Sequence, residues 1–249
     1  MPATEKILWA EGYHPDINGF IQQAHLAQVQ TVAIRTVNDV SSAIPAFHAL
    51  GIKVLGWRFP PTAPDIVMKE AEHVVSLMGK GLDGYIFDPE AAADSTDPEK
   101  DFNWDKASLA GLAEQFCSKI RTAFPNKLFG ITSHYKAKEN APHLPWQTFF
   151  NHSDKTYPQA YWKTTDKHGN VVPIGHGVAQ NYNYSLTAWR NTGATLGKII
   201  PIAGEIALAT ADEIRTYAST AAANGITELH FYTATNHVPP EVWQAIASA

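Results

Sequence analysis

Short β-rich runs alternate with amphipathic helical stretches from one end of this chain to the other. Candidate strands fall at residues 7–13, 31–36, 53–59, 84–88, 127–133, 156–162, 198–204 and 228–233. Between them lie stretches such as "PDIVMKEAEHVVSLMGK" and "WDKASLAGLAEQFCSKIRTAF". In the second, Leu109, Leu112 and Phe116 recur at three- and four-residue steps, the stripe of a helix with one buried face. Pro and Gly mark the joins, as in "FPNK" and "ANGIT". Eight such units in 249 residues predict an α/β fold, a (β/α)8 TIM barrel spanning residues 1–249 as a single domain. A doubly wound sheet shares the alternation, but its Gly-rich first turn is missing: "EGYHPDING" contains no G-x-G-x-x-G.

Composition removes several classes of partner. Lys and Arg are scattered and the net charge is -5, so no basic surface for nucleic acid is expected. The longest apolar runs are strand length, too short for a membrane span. The N-terminus "MPATEKILWAEGYHP" lacks the basic and apolar regions of a secretory signal. The expectation is therefore a cytoplasmic protein, one exported by a non-classical route, or a processed secreted form. A lone cysteine, Cys117, excludes an internal disulfide, and its helical setting reads as a small buried apolar residue. Seven Trp, nine Tyr and eleven Phe are the unusual feature, so their placement matters.

Barrel chemistry sits at the C-terminal ends of strands. Those ends carry Glu11, Tyr13 and His14 on the first strand, Arg35 on the second, and Trp57 and Arg58 on the third. The fourth carries Asp88 and Glu90, the fifth His134 and Tyr135, and the sixth Gln159, Tyr161 and Trp162. The seventh contributes Glu205, and the eighth Tyr232 and Asn236. Aromatic rings and acids thus converge on one rim.

Within "GLDGYIFDPEAAAD", residues 86, 88 and 90 share one side of an alternating strand. If Ile86 fills the interior, Asp88 and Glu90 face the mouth with Cα atoms roughly 7 Å apart. Two acids that close, partly desolvated, cannot both ionise freely, so one keeps a proton beside a carboxylate. Cleavage of a glycosidic bond uses that combination. The plainer alternative is a polar strand end, since carboxylates are usually solvated.

The run from Asp83 to Glu90, D-G-Y-I-F-D-P-E, resembles the D-G-x-D-x-D-x-E segment of family 18 chitinases and related endo-N-acetylglucosaminidases. That resemblance implies Glu90 as general acid and Asp88 as the carboxylate orienting a substrate N-acetyl group, whose oxygen attacks the anomeric carbon. The family has a further Asp where this chain has Ile86. "YPQAYW" is similar to the Gln-x-Tyr strand end of plant-type members, which maps onto Gln159 and Tyr161, the Tyr contacting the N-acetyl group. The first third, "INGFIQQAHLAQVQTVAIRT" and then "AFHALGIKVLGWRF", also resembles family 25 lysozymes, which carry an Asp where this chain has Glu11.

Trp57, Tyr135, Tyr161, Trp162 and Tyr232 are candidate sugar-stacking platforms, or else rings that close the barrel top. Arg35 and Arg58 would bind a substrate carboxylate or pair with Asp88 or Glu205. His14 and His134, with Glu11, Asp88 and Glu205, offer metal-ligand chemistry, but no H-x-H or similar close pair occurs, and no metal or cofactor is expected. Two polar segments, "EAAADSTDPEKDFNWD" and "KTTDKHGNVVPIGHGVAQNYNYS", leave the functional face and are expected to wall a groove. The leading expectation is a glycoside hydrolase acting on an oligosaccharide or polysaccharide with N-acetylhexosamine, of peptidoglycan or chitin type. The alternatives are a non-catalytic carbohydrate-binding barrel and a metal-dependent barrel hydrolase.

Overall fold

In the computed structural model, which describes residues 3–249, the strands close into the expected ring. The barrel strands are β1 (Glu5–Ala10), β2 (Thr31–Arg35), β3 (Lys53–Arg58), β4 (Gly84–Phe87), β5 (Leu128–His134) and β6 (Lys155–Gln159), followed by β9 (Ile202–Ala203) and β10 (Glu228–Phe231). Every neighbouring pair is parallel, and β10 meets β1 with Leu8 opposite Phe231. Around the ring pack α1 (Ile17–Ala27), α2 (Val40–His48), α3 (Pro64–Gly79), α4 (Ala110–Ala123), α5 (Trp146–His152), α6 (Val178–Thr192), α7 (Ala211–Ala223) and α8 (Pro240–Ala247).

Strand alternation divides the core in two. Ile7, Trp9, Ala33, Leu55, Trp57, Ile86, Tyr157 and Ile202 fill the barrel interior. Their sequence neighbours Leu8, Val32, Val54, Tyr85 and Phe87 point outward into the layer under the helices. Ile86 is completely buried, so Asp88 and Glu90, two and four residues on, continue the inward row upward.

Several strand ends fall short of the sequence expectation. β1 stops at Ala10, β4 at Phe87 and β6 at Gln159. After β6 the Ala160 amide bonds to the Pro158 carbonyl at 2.9 Å, which turns the chain out of the ladder. β9 is two residues long and follows Pro201, which has no amide hydrogen for a ladder. The segment after β6 is more ordered than its composition suggested. It forms an antiparallel hairpin, β7 (Lys163–Thr165) with β8 (Val171–Pro173), and then enters α6 at Val178. Asp166 holds the hairpin turn by accepting the His168 and Asn170 amides at 2.8 and 2.9 Å, with Gly169 at φ +83°.

The lower end of the barrel is closed by a charged network. Lys155 is ion-paired with Glu228, and His230 Nε2 lies 2.8 Å from the same carboxylate. Trp9 Nε1 donates to His230 Nδ1 at 3.0 Å, so the imidazole hydrogen is on Nε2 and is donated to Glu228. Burial pushes Glu228 upward, but the His230 hydrogen bond and the Lys155 charge outweigh it and hold the carboxyl down at about 2.

Candidate active site

At the opposite end, the inward row of β4 emerges into a cavity of ≈ 240 Å³. Asp88 and Glu90 line it together with Gln159, Thr132 and Ile202. Its aromatic wall is Trp9, Trp57, Phe59, Tyr161 and Tyr232. Gln159 joins the two acids: its Nε2 donates to Asp88 Oδ1 at 3.0 Å and to Glu90 Oε1 at 2.7 Å. The acids are also fixed by their backbone. The Asp88 amide bonds to the Arg58 carbonyl at 2.9 Å, and the Glu90 carbonyl accepts the Trp104 amide at 2.8 Å.

Both carboxyls are pushed above the ordinary range. For Asp88, burial is the main cause and the Glu90 charge adds to it, with Arg35 pulling partly the other way. For Glu90, burial raises the value while hydrogen bonds from Asp88 and Gln159 restrain it. Ionisation of either acid is therefore disfavoured while the other is charged, and the titration belongs to both groups together.

Tyr161 is fixed beside the acids by shape. A Cβ on Gly204 would fall 1.8 Å from Tyr161 Cδ1, so only glycine lets the ring lie against that backbone. The ring stacks on Tyr232 at 5.4 Å and 13°, and the Tyr232 hydroxyl donates to Glu11. Glu11 and Glu205 belong to an adjoining cavity of ≈ 280 Å³ on the far side of Tyr232. Glu205 follows Gly204 with a left-handed φ of 43° and accepts the Thr164 hydroxyl at 3.2 Å. Burial, and the Glu11 charge, raise it.

Other expected rim residues lie elsewhere. Trp162 is outside the barrel, 2% exposed, with its ring 6.3 Å from Tyr217 of α7. Past the end of β6, Tyr161 turns into the cavity while its neighbour Trp162 falls on the opposite side of the chain, in the core under the helices. Tyr135 is also turned away and is buried between His134 and Tyr184, at 4.7 and 5.9 Å. Tyr13 lies beyond the end of β1, stacks on Phe20 at 6.0 Å and donates to the Asp39 carbonyl at 3.1 Å. His134 is outside the cavity lining, and burial lowers its imidazole to about 4, so it is neutral at pH 7.

The two arginines separate by strand alternation. Arg58 points outward and pairs with the buried Glu70 of α3 at 2.6 Å, not with Asp88 or Glu205. Arg35 points to the mouth and forms no ion pair among the described residues; its guanidinium lies 4.5 Å over Phe59 and 5.9 Å from Trp57. Among the described residues, no three His, Cys, Asp or Glu side chains group as a metal-ligand set.

Trp9, Phe59, Thr132 and Ile202 are lining residues that a search of strand ends passes over. The signal for them was the two-residue period, since 7, 9 and 11, like 55, 57 and 59, form continuous inward rows.

No protein-family model matches this chain, and no curated protein sequence matches it. Solved structures do. The spore cortex-lytic enzyme SleL of Bacillus megaterium superposes with a TM-score of 0.63 at 8% identity, covering 98% of this chain and 73% of that one. A Group II chitinase catalytic domain from Ostrinia furnacalis, solved with penta-N-acetylchitooctaose, gives 0.53 at 16% identity over 80% of this chain and 63% of that one. The glycoside hydrolase domain of PelA from Pseudomonas aeruginosa gives 0.54 at 12% identity over 92% and 95%. The chain thus spans less than two thirds of the length of that chitinase domain. At such identities the likeness shows the fold: this chain has the closed (β/α)8 barrel on which these glycan-processing domains are built.

Proposed function

We propose that the protein is a glycoside hydrolase acting on glycans that contain N-acetylhexosamine, of the peptidoglycan or chitin type. The observation that carries this reading is the buried acid pair bridged by one amide, Gln159 to Asp88 at 3.0 Å and to Glu90 at 2.7 Å, in an aromatic cavity. An acid kept protonated by burial next to a second carboxyl is equipped to protonate a leaving oxygen and to stabilise positive charge at the anomeric carbon.

In this reading Glu90 gives its proton to the glycosidic oxygen as the bond to the anomeric carbon breaks. The substrate's own N-acetyl oxygen forms the new bond to that carbon, and Asp88 holds the N-acetyl nitrogen side as it becomes positive. Water then opens the cyclic intermediate, returning the sugar, and Glu90 recovers a proton from that water. Gln159 sets the distance between the acids, and Tyr161 presents its phenol to the same group. Tyr232 offers an apolar face to the sugar ring, with the buried Trp57 packed behind it in the cavity wall. Ile86, where the family 18 pattern has an acid, leaves burial, the Glu90 charge and, in the other direction, Arg35 to set the proton's energy on Asp88.

The test is turnover of N-acetylglucosamine oligomers and of peptidoglycan strands, read by mass spectrometry. Glu90→Gln is expected to reduce the rate by about 10²–10⁴-fold, the usual worth of general acid catalysis. Full activity in Glu90→Gln would return the acids to the role of a polar strand end. The hydrocarbon at Ile86 favours a second reading, a barrel that binds glycans without cutting them. Binding by the wild type with no product released from either glycan would select it.

A further inference from the structure

The long segment after β4 is built, not loose, and it delivers one aromatic ring to a defined place. Asn103 bridges back to Glu90, and the Trp104 amide bonds to the Glu90 carbonyl at 2.8 Å. The segment is also tied to the chain after β3. The Thr62 amide bonds to the Asp101 carbonyl at 2.7 Å, the Thr62 hydroxyl to the Asp101 carboxylate at 2.8 Å, and Trp104 Nε1 to the Pro60 carbonyl at 2.9 Å. Lys106 draws Asp94 and Asp101 together at 2.8 and 3.0 Å. Residue 102 is held between these anchors. Its ring sits 5.2 Å from Phe59, tilted by 53°.

Phe59 already lines the acid cavity, and both phenylalanines keep part of their surface open to solvent. The rings continue the aromatic wall outward: Tyr232 to Trp57 at 6.0 Å, Trp57 to Phe59 at 6.5 Å, Phe59 to Phe102 at 5.2 Å. The outer end of the row, Phe59 and Phe102, keeps apolar surface partly open at the cavity edge, and the bonds above hold it there. Pyranose rings present apolar C–H faces that match it.

We propose that Phe59 and Phe102 form a sugar-stacking subsite on the β3–β4 side of the mouth, so that the glycan chain leaves the acid pair in that direction. The subsite rests on the glycan reading given above and adds a direction and a length requirement to it. The ligand is a stretch of a hexosamine polymer reaching past the sugar held at Asp88 and Glu90. Because the segment bearing Phe102 is bonded to the Glu90 backbone, a sugar seated there also bears on the position of the acid.

The experiment is calorimetric binding of N-acetylglucosamine oligomers of increasing length, and of peptide-free peptidoglycan strands of matching length, to Glu90→Gln protein carrying Phe102→Ala, Phe102→Trp or no further change. Without a further change, affinity should rise as the oligomer grows long enough to reach Phe102. Phe102→Ala should remove that rise, a loss of about 5–10-fold for the long oligomers, in line with one stacked ring. Phe102→Trp should restore or increase it. Equal affinities for Phe102→Ala and its parent at every length would overturn the subsite while leaving the glycan reading in place. Absence of binding to either polymer at any length, by the Glu90→Gln parent and by wild-type protein titrated alongside it, would overturn both.

Discussion

The two ends of this barrel shift largely buried carboxylates in opposite directions. At the floor, Glu228 is paired with Lys155 and hydrogen-bonded by His230, and its carboxyl is held down at about 2. At the mouth, Asp88 and Glu90 share an amide and each other's company without an ion pair among the described residues, and both are pushed up. Burial acts upward at both ends; what differs is whether a cation was placed within contact. A barrel built only for stability would pair the mouth acids as it pairs Glu228. Left without a cation in contact, they are raised where a cavity opens, the arrangement on which the proposed acid chemistry rests.

The largest effect that would sharpen this contrast is on rate. Asp88→Asn should cut glycan turnover by about 10²–10³-fold, as loss of one positioned stabilising group does, while Glu228→Gln leaves the mouth chemistry in place. Steady-state kinetics on the two variants checks it. Comparable rate losses in both would erase the distinction between the ends.

The next effect is on stability, and it falls on the floor. Glu228 is 13% exposed, and lowering it from the ordinary 4.5 to about 2 corresponds to about 3 kcal/mol. Glu228→Gln also strands Lys155, so thermal unfolding at pH 7 should drop by roughly 6–12 °C. Because the folded-state value is depressed, this contribution is fully present above the unfolded value and is lost as pH falls from about 4.5 through about 2. Thermal denaturation of both proteins across that window should show their melting temperatures converging at the acid end. A gap that stays constant would contradict the pairing.

The smallest effect has the opposite sign. The mouth acids are raised, so their ionisation costs stability as pH rises above the ordinary carboxylate range. Asp88→Asn should therefore melt slightly higher than wild type at pH 7–8, by a few degrees, and equal to it near pH 4. A lower melting temperature for the variant at pH 8 would place Asp88 among the stabilising groups.

The eightfold ring was legible because strand and helix periods alternate along the whole chain, and the acid pair because D-x-E prolongs the inward row above Ile86. What misled was the assumption that strand ends alone define a rim. Trp162 and Tyr135 lie past the ends of β6 and β5 and are buried away from the cavity, Trp162 in the core under the helices and Tyr135 between His134 and Tyr184. Tyr13 lies past the last ladder bond of β1, where no parity applies. Gln159 was expected on the sugar, and the structure has it binding both acids, a contact between β4 and β6 that no local pattern encodes. The glycine at 204 was equally silent, because its role depends on a ring arriving from Tyr161 on another strand end. The Phe102 placement depends on tertiary anchors to Thr62 and Pro60, so composition gave only a polar loop.

The central claim is that one barrel raises its mouth acids above the ordinary carboxylate range while it holds its floor acid below it. Carboxyl-selective carbon NMR titration, assigned with Asp88→Asn, Glu90→Gln and Glu228→Gln, measures all three groups in one experiment. The account predicts at least one step of the Asp88–Glu90 pair above the ordinary carboxylate range and Glu228 titrating near 2. Two steps of the pair at or below the ordinary range, alongside an unshifted Glu228, would contradict it.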